Sequence, residues 1–539
     1  MGIAVTRAGL AALAIGGVLL ALEPAGTTLA NIHTARPAVP ARRVKADFNG
    51  DGYADLAIGA GYEPVLGQSE AGTVDVLYGS PSGLTVAGNQ MWTQNSPGLP
   101  GGPATALAHF GFALAVADFD ADGYADLAIG IARDRFTPQP AAVLLLYGGP
   151  GGLSAARAQY FDETTPGMVG GGAQAGDRFG YSLYSCDFNG DGYADLAIGA
   201  PYRQENGQTY AGGVHVLYGG PGGLSVSGNQ EWSASSPGVA GVGAKANALF
   251  GRALAAGDFD HDGYCDLAIG APEQIIDQLT GAGSVTILKG SAGGLTASGS
   301  QFWNGDSLGM PGGGAGIADA FGIGLSSGDY NGDGYADLAI GVPLKDVNGI
   351  SNTGGVNILY GSARGLSTTG AQFWSLATSG LKGGASQNDY MGSALASADF
   401  DQNGYDDLAI GDAEKTVNGV KIAGAVTVLL GSRNGLGWAG NELFTANSYG
   451  IGIGAQTGAK FGYAVFGADF NGDGYPDLAI GIRGQNVDGK SEAGAIEILR
   501  GQPIFGLGTA GSQYFTQDTP GMVDHAHQND RFGRALPFS

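Results

Sequence analysis

A β-propeller of seven four-stranded blades is the fold this 539-residue sequence predicts, and three observations predict it. One acidic loop recurs seven times at nearly constant spacing. Each copy is followed by the same order of short apolar runs and glycine turns. Glycine contributes 102 residues without a Gly-X-Y period, which rules out collagen. At roughly 1 kcal/mol per interior glycine, that content also disfavours long helices.

Charge and cysteine usage narrow the function classes. Asp and Glu outnumber Lys and Arg 49 to 25, for a formal charge of −24. Nucleic acid and anionic membrane are excluded as partners, because phosphate binding needs clustered Lys and Arg. Two cysteines make no disulfide framework. Cys186 and Cys265 stand where most copies carry Ala or Gly and read as small fillers.

Residues 1–30 read as an export signal: Arg7, an apolar run from Ala8 to Leu22, then Thr28-Leu29-Ala30 as a small-residue cleavage site. The run is too short for a comfortable membrane span, so no span is expected in the mature chain. Residues 31–43, with Pro37 and Pro40, read as a linker, and residues 44–539 as the propeller.

The acidic loops start at Asp47, Asp118, Asp187, Asp258, Asp329, Asp399 and Asp469, spaced by 71, 69, 71, 71, 70 and 70 residues. Asp-Leu-Ala-Ile-Gly follows each loop and reads as one strand. After a loop of varying sequence comes an alternating apolar run such as Val214-His215-Val216-Leu217-Tyr218. A Gly-rich turn (Gly219 to Leu224) and an aromatic segment (Gln230-Glu231-Trp232) follow. A Gly-rich stretch then leads to Phe-Gly and a fourth short run. Four strands in about 70 residues are marginal alone, and radial repetition is how such units bury their faces.

Phe110, Phe179, Phe250, Phe321, Tyr390 and Phe461 mark the element ahead of six loops. The first loop instead follows the charged Arg42-Arg43-Val44-Lys45. Phe532-Gly533-Arg534-Ala535-Leu536 is an orphan copy at the C-terminus, and it is expected to form the innermost strand of the first blade and close the ring.

Within each loop, oxygen side chains fall at positions 1, 3, 5 and 9, glycine at 6 and tyrosine at 7. Hard oxygen donors around a sharp turn suit Ca²⁺, which takes six to eight of them, with the tyrosine carbonyl as a further ligand. The expected ligands are Asp47, Asn49, Asp51, Tyr53 and Asp55 in the first loop and Asp118, Asp120, Asp122, Tyr124 and Asp126 in the second. The third and fourth offer Asp187, Asn189, Asp191, Tyr193, Asp195 and Asp258, Asp260, Asp262, Tyr264, Asp266. The fifth and sixth offer Asp329, Asn331, Asp333, Tyr335, Asp337 and Asp399, Asp401, Asn403, Tyr405, Asp407. Asp469, Asn471, Asp473, Tyr475 and Asp477 complete the seventh. Position 12 is isoleucine in every copy, so these are not EF-hands, which need Glu there. Up to seven Ca²⁺ are expected, which would bring −24 to −10. His261, at position 4 of the fourth loop, is expected to face solvent.

Phe-Gly, the DxDxDG-type loop and Gly-Ala-Pro (Gly199-Ala200-Pro201, Gly270-Ala271-Pro272) resemble FG-GAP repeats, which build the N-terminal seven-bladed propeller of integrin α chains. The resemblance covers residues 44–539 and implies calcium between the first and second strands of a blade. The match is to the propeller module; lectins and domains attached to phospholipases or lyases share it, and fold alone does not choose among them.

No HExxH, GxSxG or Walker loop occurs, and the calcium loops claim the paired carboxylates, so no enzyme is expected. His525 and His527 read as a solvated loop, with a metal role as the other reading. The expected function is a secreted or cell-surface calcium-binding module for adhesion to a protein ligand. The alternative is a lectin-like glycan binder, ahead of a polysaccharide-active enzyme. Turns on the calcium face repeat closely, whereas the loops between second and third strands vary, which puts the ligand on the opposite face. Arg133, Arg135, Phe136, Tyr202 and Arg203 are the expected contacts, Arg and Tyr being frequent hot-spot residues.

Overall fold

Asp-Leu-Ala-Ile-Gly forms the second strand of every blade and is buried along its whole length, as in Asp195–Ala200 and Asp337–Gly341. A strand apolar on both faces needs cover on both, and the neighbouring blades supply it. The computed structural model describes residues 46–133, 137, 139–170, 172–174, 176–504 and 506–538. The export and linker segments, Arg135 and Phe136 lie outside the described residues.

In the third blade the strands run Ser182–Cys186, Asp195–Ala200, Gly213–Tyr218 and Ser225–Trp232, antiparallel in sequence order. The third strand is fully buried and the fourth is half exposed, as befits an outer edge. The same order builds blades two to seven. Inner strands of neighbouring blades pack on one another around the axis. This up-and-down order puts the acidic loops and the turns between third and fourth strands on one face. The Phe-Gly segments and the variable loops lie on the other.

Close approach between blades explains two of the repeated glycines. A Cβ on Gly199 would lie 2.2 Å from the carbonyl oxygen of Gly251, the Phe-Gly glycine of the next blade. Each blade repeats this contact, and the seventh makes it with the tail: a Cβ on Gly481 would lie 2.0 Å from Gly533 O. The orphan Phe-Gly copy therefore closes the ring. Phe532 is fully buried, and Gly59 N donates to Ala535 O at 2.9 Å in the place of a first-blade inner strand.

That strand is shorter than the sequence predicts. The first blade is a three-stranded sheet, Leu56–Ala60, Thr73–Tyr78 and Thr85–Trp92, with Gly59–Ala535 as a single antiparallel bridge beside it. Pro537 has no N–H with which to extend the ladder. Pro537–Phe538 instead pairs in parallel with Leu114 and Ala115 of the second blade.

Two further expectations are corrected. Met391, not Tyr390, takes the buried Phe place in the sixth blade: it is fully buried and bridges Gly354 as Phe461 bridges Gly424. Cys186 and Cys265 are not fillers but a disulfide joining the third and fourth blades, 6.1 Å between Cα atoms and 79 residues apart.

Three polar links recur at the seams. The amide before the position-9 aspartate donates to the position-1 carbonyl of the preceding blade, as Ala194 N to Asp118 O at 3.3 Å. The turn after the third strand donates to the position-2 carbonyl, as Gly220 N to Phe119 O at 3.2 Å. An outer-strand glutamine crosses to the next blade, as Gln230 Nε2 to Leu295 O at 3.0 Å. Among the described residues, the seam between the sixth and seventh blades has none of the three. Pro476 has no N–H, Gln502 turns back to pair with Gly506, and Glu442 replaces the glutamine. Leu430, Leu507 and Phe400 pack there instead.

Candidate functional site

Each acidic loop hangs from a buried aromatic at position 2: Phe48, Phe119, Phe188, Phe259, Tyr330, Phe400 and Phe470 are all 0% exposed. In the first loop, Asp47 Oδ1 accepts from Gly50 N at 2.7 Å and Asp51 N at 3.1 Å, and Oδ2 from Gly52 N at 2.8 Å. Asp51 Oδ1 accepts from Tyr53 N at 3.0 Å, and Asn49 Oδ1 from Asp51 N at 2.9 Å. The chain thus wraps its acids inward on its own amides, leaving further lone pairs for a cation. Position 6 is left-handed in all seven, from Gly52 (φ 93°) to Gly474 (φ 95°). A Cβ on Gly52 would meet nothing, so it is φ rather than space that calls for glycine there.

The tyrosines also join loop to loop. A Cβ on Gly50 would lie 2.5 Å from the Tyr124 ring, and Gly190, Gly332 and Gly472 face Tyr264, Tyr405 and Tyr53 in the same way. His261 is exposed, as expected, with its ring 5.6 Å from that of Tyr335.

Position 9 does two jobs. Asp55 Oδ2 accepts from Phe48 N at 2.7 Å and Oδ1 from Gly79 N at 2.8 Å, clamping the loop to the turn after the third strand. Burial pushes the carboxyls of Asp55, Asp126, Asp195, Asp337 and Asp407 up to about 8. Asp266 reaches only about 7 and Asp477 about 6, because a cation opposes the burial. Lys289 Nζ lies 2.7 Å from Asp266 and 2.9 Å from Asp260, and Arg500 Nη1 lies 3.0 Å from Asp477. Arg157 pairs with Asp120 in the second loop. One oxygen from each of Asp118, Asp120 and Asp122 falls within 4.8 Å of the others, as for Asp258, Asp260 and Asp262 and for Asp399, Asp401 and Asp407.

On the opposite face, two of the expected contact residues are buried. Arg133 is 2% exposed and donates to Pro140 O at 2.7 Å; Arg203 is 4% exposed and pairs with Glu163. His215 Nε2 lies 3.0 Å from the same carboxylate, and burial brings this imidazole down to about 4. Tyr202 stays half-buried at the surface with Arg178 stacked over it at 4.8 Å. With Gln174, Gln204, Asn206, Thr209 and Tyr210 it lines an open cavity of about 510 Å³.

The variable-loop argument missed the residue after each Phe-Gly, where the inner strands begin at the axial mouth. Phe112 and Tyr181 meet at a tilt of 52° with ring centroids 4.8 Å apart, Arg252 lies over Tyr181 at 4.5 Å, and Arg534 lies over Phe112 at 3.9 Å. Arg483 covers Tyr463 at 4.3 Å and Arg531 covers Tyr62 at 4.4 Å. Loss of water pulls Arg252 down to about 10, with Arg534 and Arg178 adding to it. Burial opposes ionisation of Tyr463, yet Arg534, Arg483 and Arg252 together bring its hydroxyl below the usual tyrosine value. Among the described residues no carboxylate forms an ion pair with Arg252, Arg483 or Arg534.

The FG-GAP repeat family model matches at residues 44–77, 110–136, 179–217, 250–288, 321–359, 391–429 and 461–499, one stretch per blade. The chain is an FG-GAP repeat propeller. Curated relatives include integrin alpha-7 of Mus musculus, 36% identical over 178 residues, which are 33% of this chain and 13% of that protein. Integrin alpha-PS2 of Drosophila melanogaster is 34% identical over 44% of this chain and 16% of its own length. The phosphatidylinositol-glycan-specific phospholipase D of Rattus norvegicus is 31% identical over 47% of this chain and 26% of its own length. The match thus spans a quarter or less of most of these relatives, and they include both integrin chains and an enzyme. Among solved structures, rhamnogalacturonan lyase YesX matches at a TM-score of 0.36 and 11% identity over 80% of this chain and 68% of its own, too distant to bear on either fold or reaction.

Not every loop of this FG-GAP propeller is alike as a cation host. Lys289, Arg500 and Arg157 already reach the carboxylates of the fourth, seventh and second loops. A calcium titration is expected to separate a tighter class, from the first, third, fifth and sixth loops, from a weaker class of three. Lys289→Met should move one site to the tighter class. Seven identical affinities would overturn this ordering.

Proposed function

We propose that the protein is an exported, calcium-loaded propeller that binds an acidic ligand at the axial mouth of the face opposite its acidic loops. The observation that carries this reading is the arginine–aromatic array. Arg252, Arg483 and Arg534 lie over aromatic rings with no carboxylate ion pair among the described residues, in a chain of formal charge −24. Cations gathered against the net field without a direct carboxylate partner are arranged for an external anion. The Cys186–Cys265 disulfide and the N-terminal apolar segment support export. The 23 aspartates at positions 1, 3, 5 and 9 support calcium.

Kinship with integrin α chains supports a protein ligand and a role in adhesion, and the arginine–aromatic array is what makes that ligand acidic. A second reading, an acidic glycan, is favoured by the polar cavity beside Tyr202 and Tyr210, whose amides and rings suit sugar hydroxyls and faces. A glycan array beside a pull-down from the native cell surface separates the two. Arg252→Ala with Arg534→Ala should weaken binding at least tenfold in a protein that still melts cooperatively, and Tyr202→Ala should add to the loss if the ligand is a glycan. Loss of binding only on substitution of the acidic-loop face would refute the assignment.

A further inference from the structure

Blade equivalence exposes one place where a cation is missing. At the start of the loop after the second strand, one residue in each of several blades accepts the same backbone bond. Gly354 N donates to Lys345 O and Gly424 N to Lys415 O, both at 3.0 Å, and Gly72 N to Glu63 O at 2.9 Å. In the fifth and sixth blades this residue is lysine. Its ammonium lies 2.9 Å from Asp319 and 3.0 Å from Asp389, each two residues ahead of the buried Phe-place residue. The first blade keeps the corresponding acid, Asp530, two residues ahead of Phe532. Where the lysine should be, it carries Glu63.

Four acids therefore meet where other blades hold an ion pair. Glu63, Asp75, Asp524 and Asp530 are 3%, 0%, 6% and 0% exposed. Both carboxylate oxygens of Asp75 and Oδ1 of Asp530 have no hydrogen-bond partner. Among the described residues no lysine or arginine pairs with any of the four. Gln517 Nε2 bridges Glu63 Oε2 at 2.7 Å and Asp524 Oδ2 at 2.8 Å, which holds the two acids side by side. From the solvent side, His527 turns Nδ1 toward the group, 3.5 Å from Asp530 Oδ2 and 3.9 Å from Glu63 Oε1.

We propose that this cluster is a divalent transition-metal site with Glu63, Asp530 and His527 as ligands and Zn²⁺ as its fitting ion. One ligand atom from each lies within 4.8 Å of the others, and tetrahedral bonds of about 2 Å would draw them to about 3.3 Å apart, an inward shift of about 1 Å that the exposed His527 side chain can supply. Carboxylates behind it supply the negative charge, and the metal replaces the ammonium used in the fifth and sixth blades. An imidazole ligand selects Zn²⁺ over calcium, which takes oxygen. The half-exposed His527 leaves one side of the ion open to water. The site lies at the junction of the tail with the first blade, away from the seven acidic loops, and does not depend on their filling.

The test is equilibrium dialysis of the metal-stripped full chain against micromolar Zn²⁺ in excess Ca²⁺, which saturates the acidic loops. One Zn²⁺ equivalent that calcium does not displace is expected. Glu63→Lys should abolish it, since this variant installs the ammonium of the fifth and sixth blades, and its melting temperature without metal should match or exceed wild type. His527→Ala, at a half-exposed position that leaves the fold alone, should weaken Zn²⁺ at least tenfold. Equal Zn²⁺ binding by wild type and Glu63→Lys, displacement by Ca²⁺, or an unchanged affinity in His527→Ala would each overturn the proposal.

Discussion

Stripping calcium is expected to lower the melting temperature by roughly 10 °C or more, and to reverse the sign of its pH dependence. Each filled loop adds about 2.7 kcal/mol when free calcium is 100 times Kd, and four to seven loops contribute. A unit of this size gains roughly 1 °C per kcal/mol. Mg²⁺, which prefers hydrated octahedral sites, should restore less than Ca²⁺. In the metal-free protein, burial raises five position-9 carboxyls from 3.8 to about 8. The folded state then binds more protons than the unfolded one, so stability is greatest at low pH and falls as pH rises through about 8. With calcium bound the same groups are held ionised, and stability is lost as pH falls. Metal-free protein should thus melt higher at pH 5 than at pH 8, and calcium-loaded protein the reverse. Parallel pH profiles with and without calcium, or a melting curve indifferent to chelator, would refute the role of the loops.

Removing residues 531–539 should abolish soluble, cooperatively folding protein. The truncation takes away Phe532 and Leu536, 0% and 2% exposed within the core shared by the first, second and seventh blades. Loss of a buried Phe alone costs about 3–5 kcal/mol. It also removes the Gly59–Ala535 bond and bares Leu56–Ala60 as an unpaired edge, an invitation to aggregation. Phe532→Ala isolates the packing loss and should lower the melting temperature while leaving a soluble ring. Wild-type melting of the truncated chain would show that the ring closes some other way.

What repeats within a blade could be read from the sequence; what passes between blades could not. The four strands, the acidic loops and the Phe-Gly closure follow from local periods of apolar and glycine residues. The Cys186–Cys265 bond was hidden because its partners are 79 residues apart and meet only through blade stacking. Arg133 and Arg203 looked like surface contacts because charge in a variable loop usually faces water; buried acceptors, Pro140 O and Glu163, draw them inward. The tail was assigned to one blade and serves two, since Pro537 ends one ladder and Phe538 joins another. The axial arginines escaped notice because each stands alone in its repeat and they gather only around the ring.

The seam between the sixth and seventh blades gives the ring a mechanical character of its own. At the other seams directional bonds pin one blade's height against the next. Here, on the acidic-loop side, Leu430, Leu507 and Phe400 meet through apolar contact, which tolerates sliding that a hydrogen bond does not, while on the opposite side Lys460 N still donates to Ile422 O at 3.1 Å and Phe461 N to Ala423 O at 2.9 Å. Strain imposed on the acidic-loop face would be taken up first at this joint, with the backbone bonds of the opposite face as its hinge. The joint lies within continuous chain, unlike the one stitched by the tail. A ring that yields there keeps its ends tied and springs back without having to find them again.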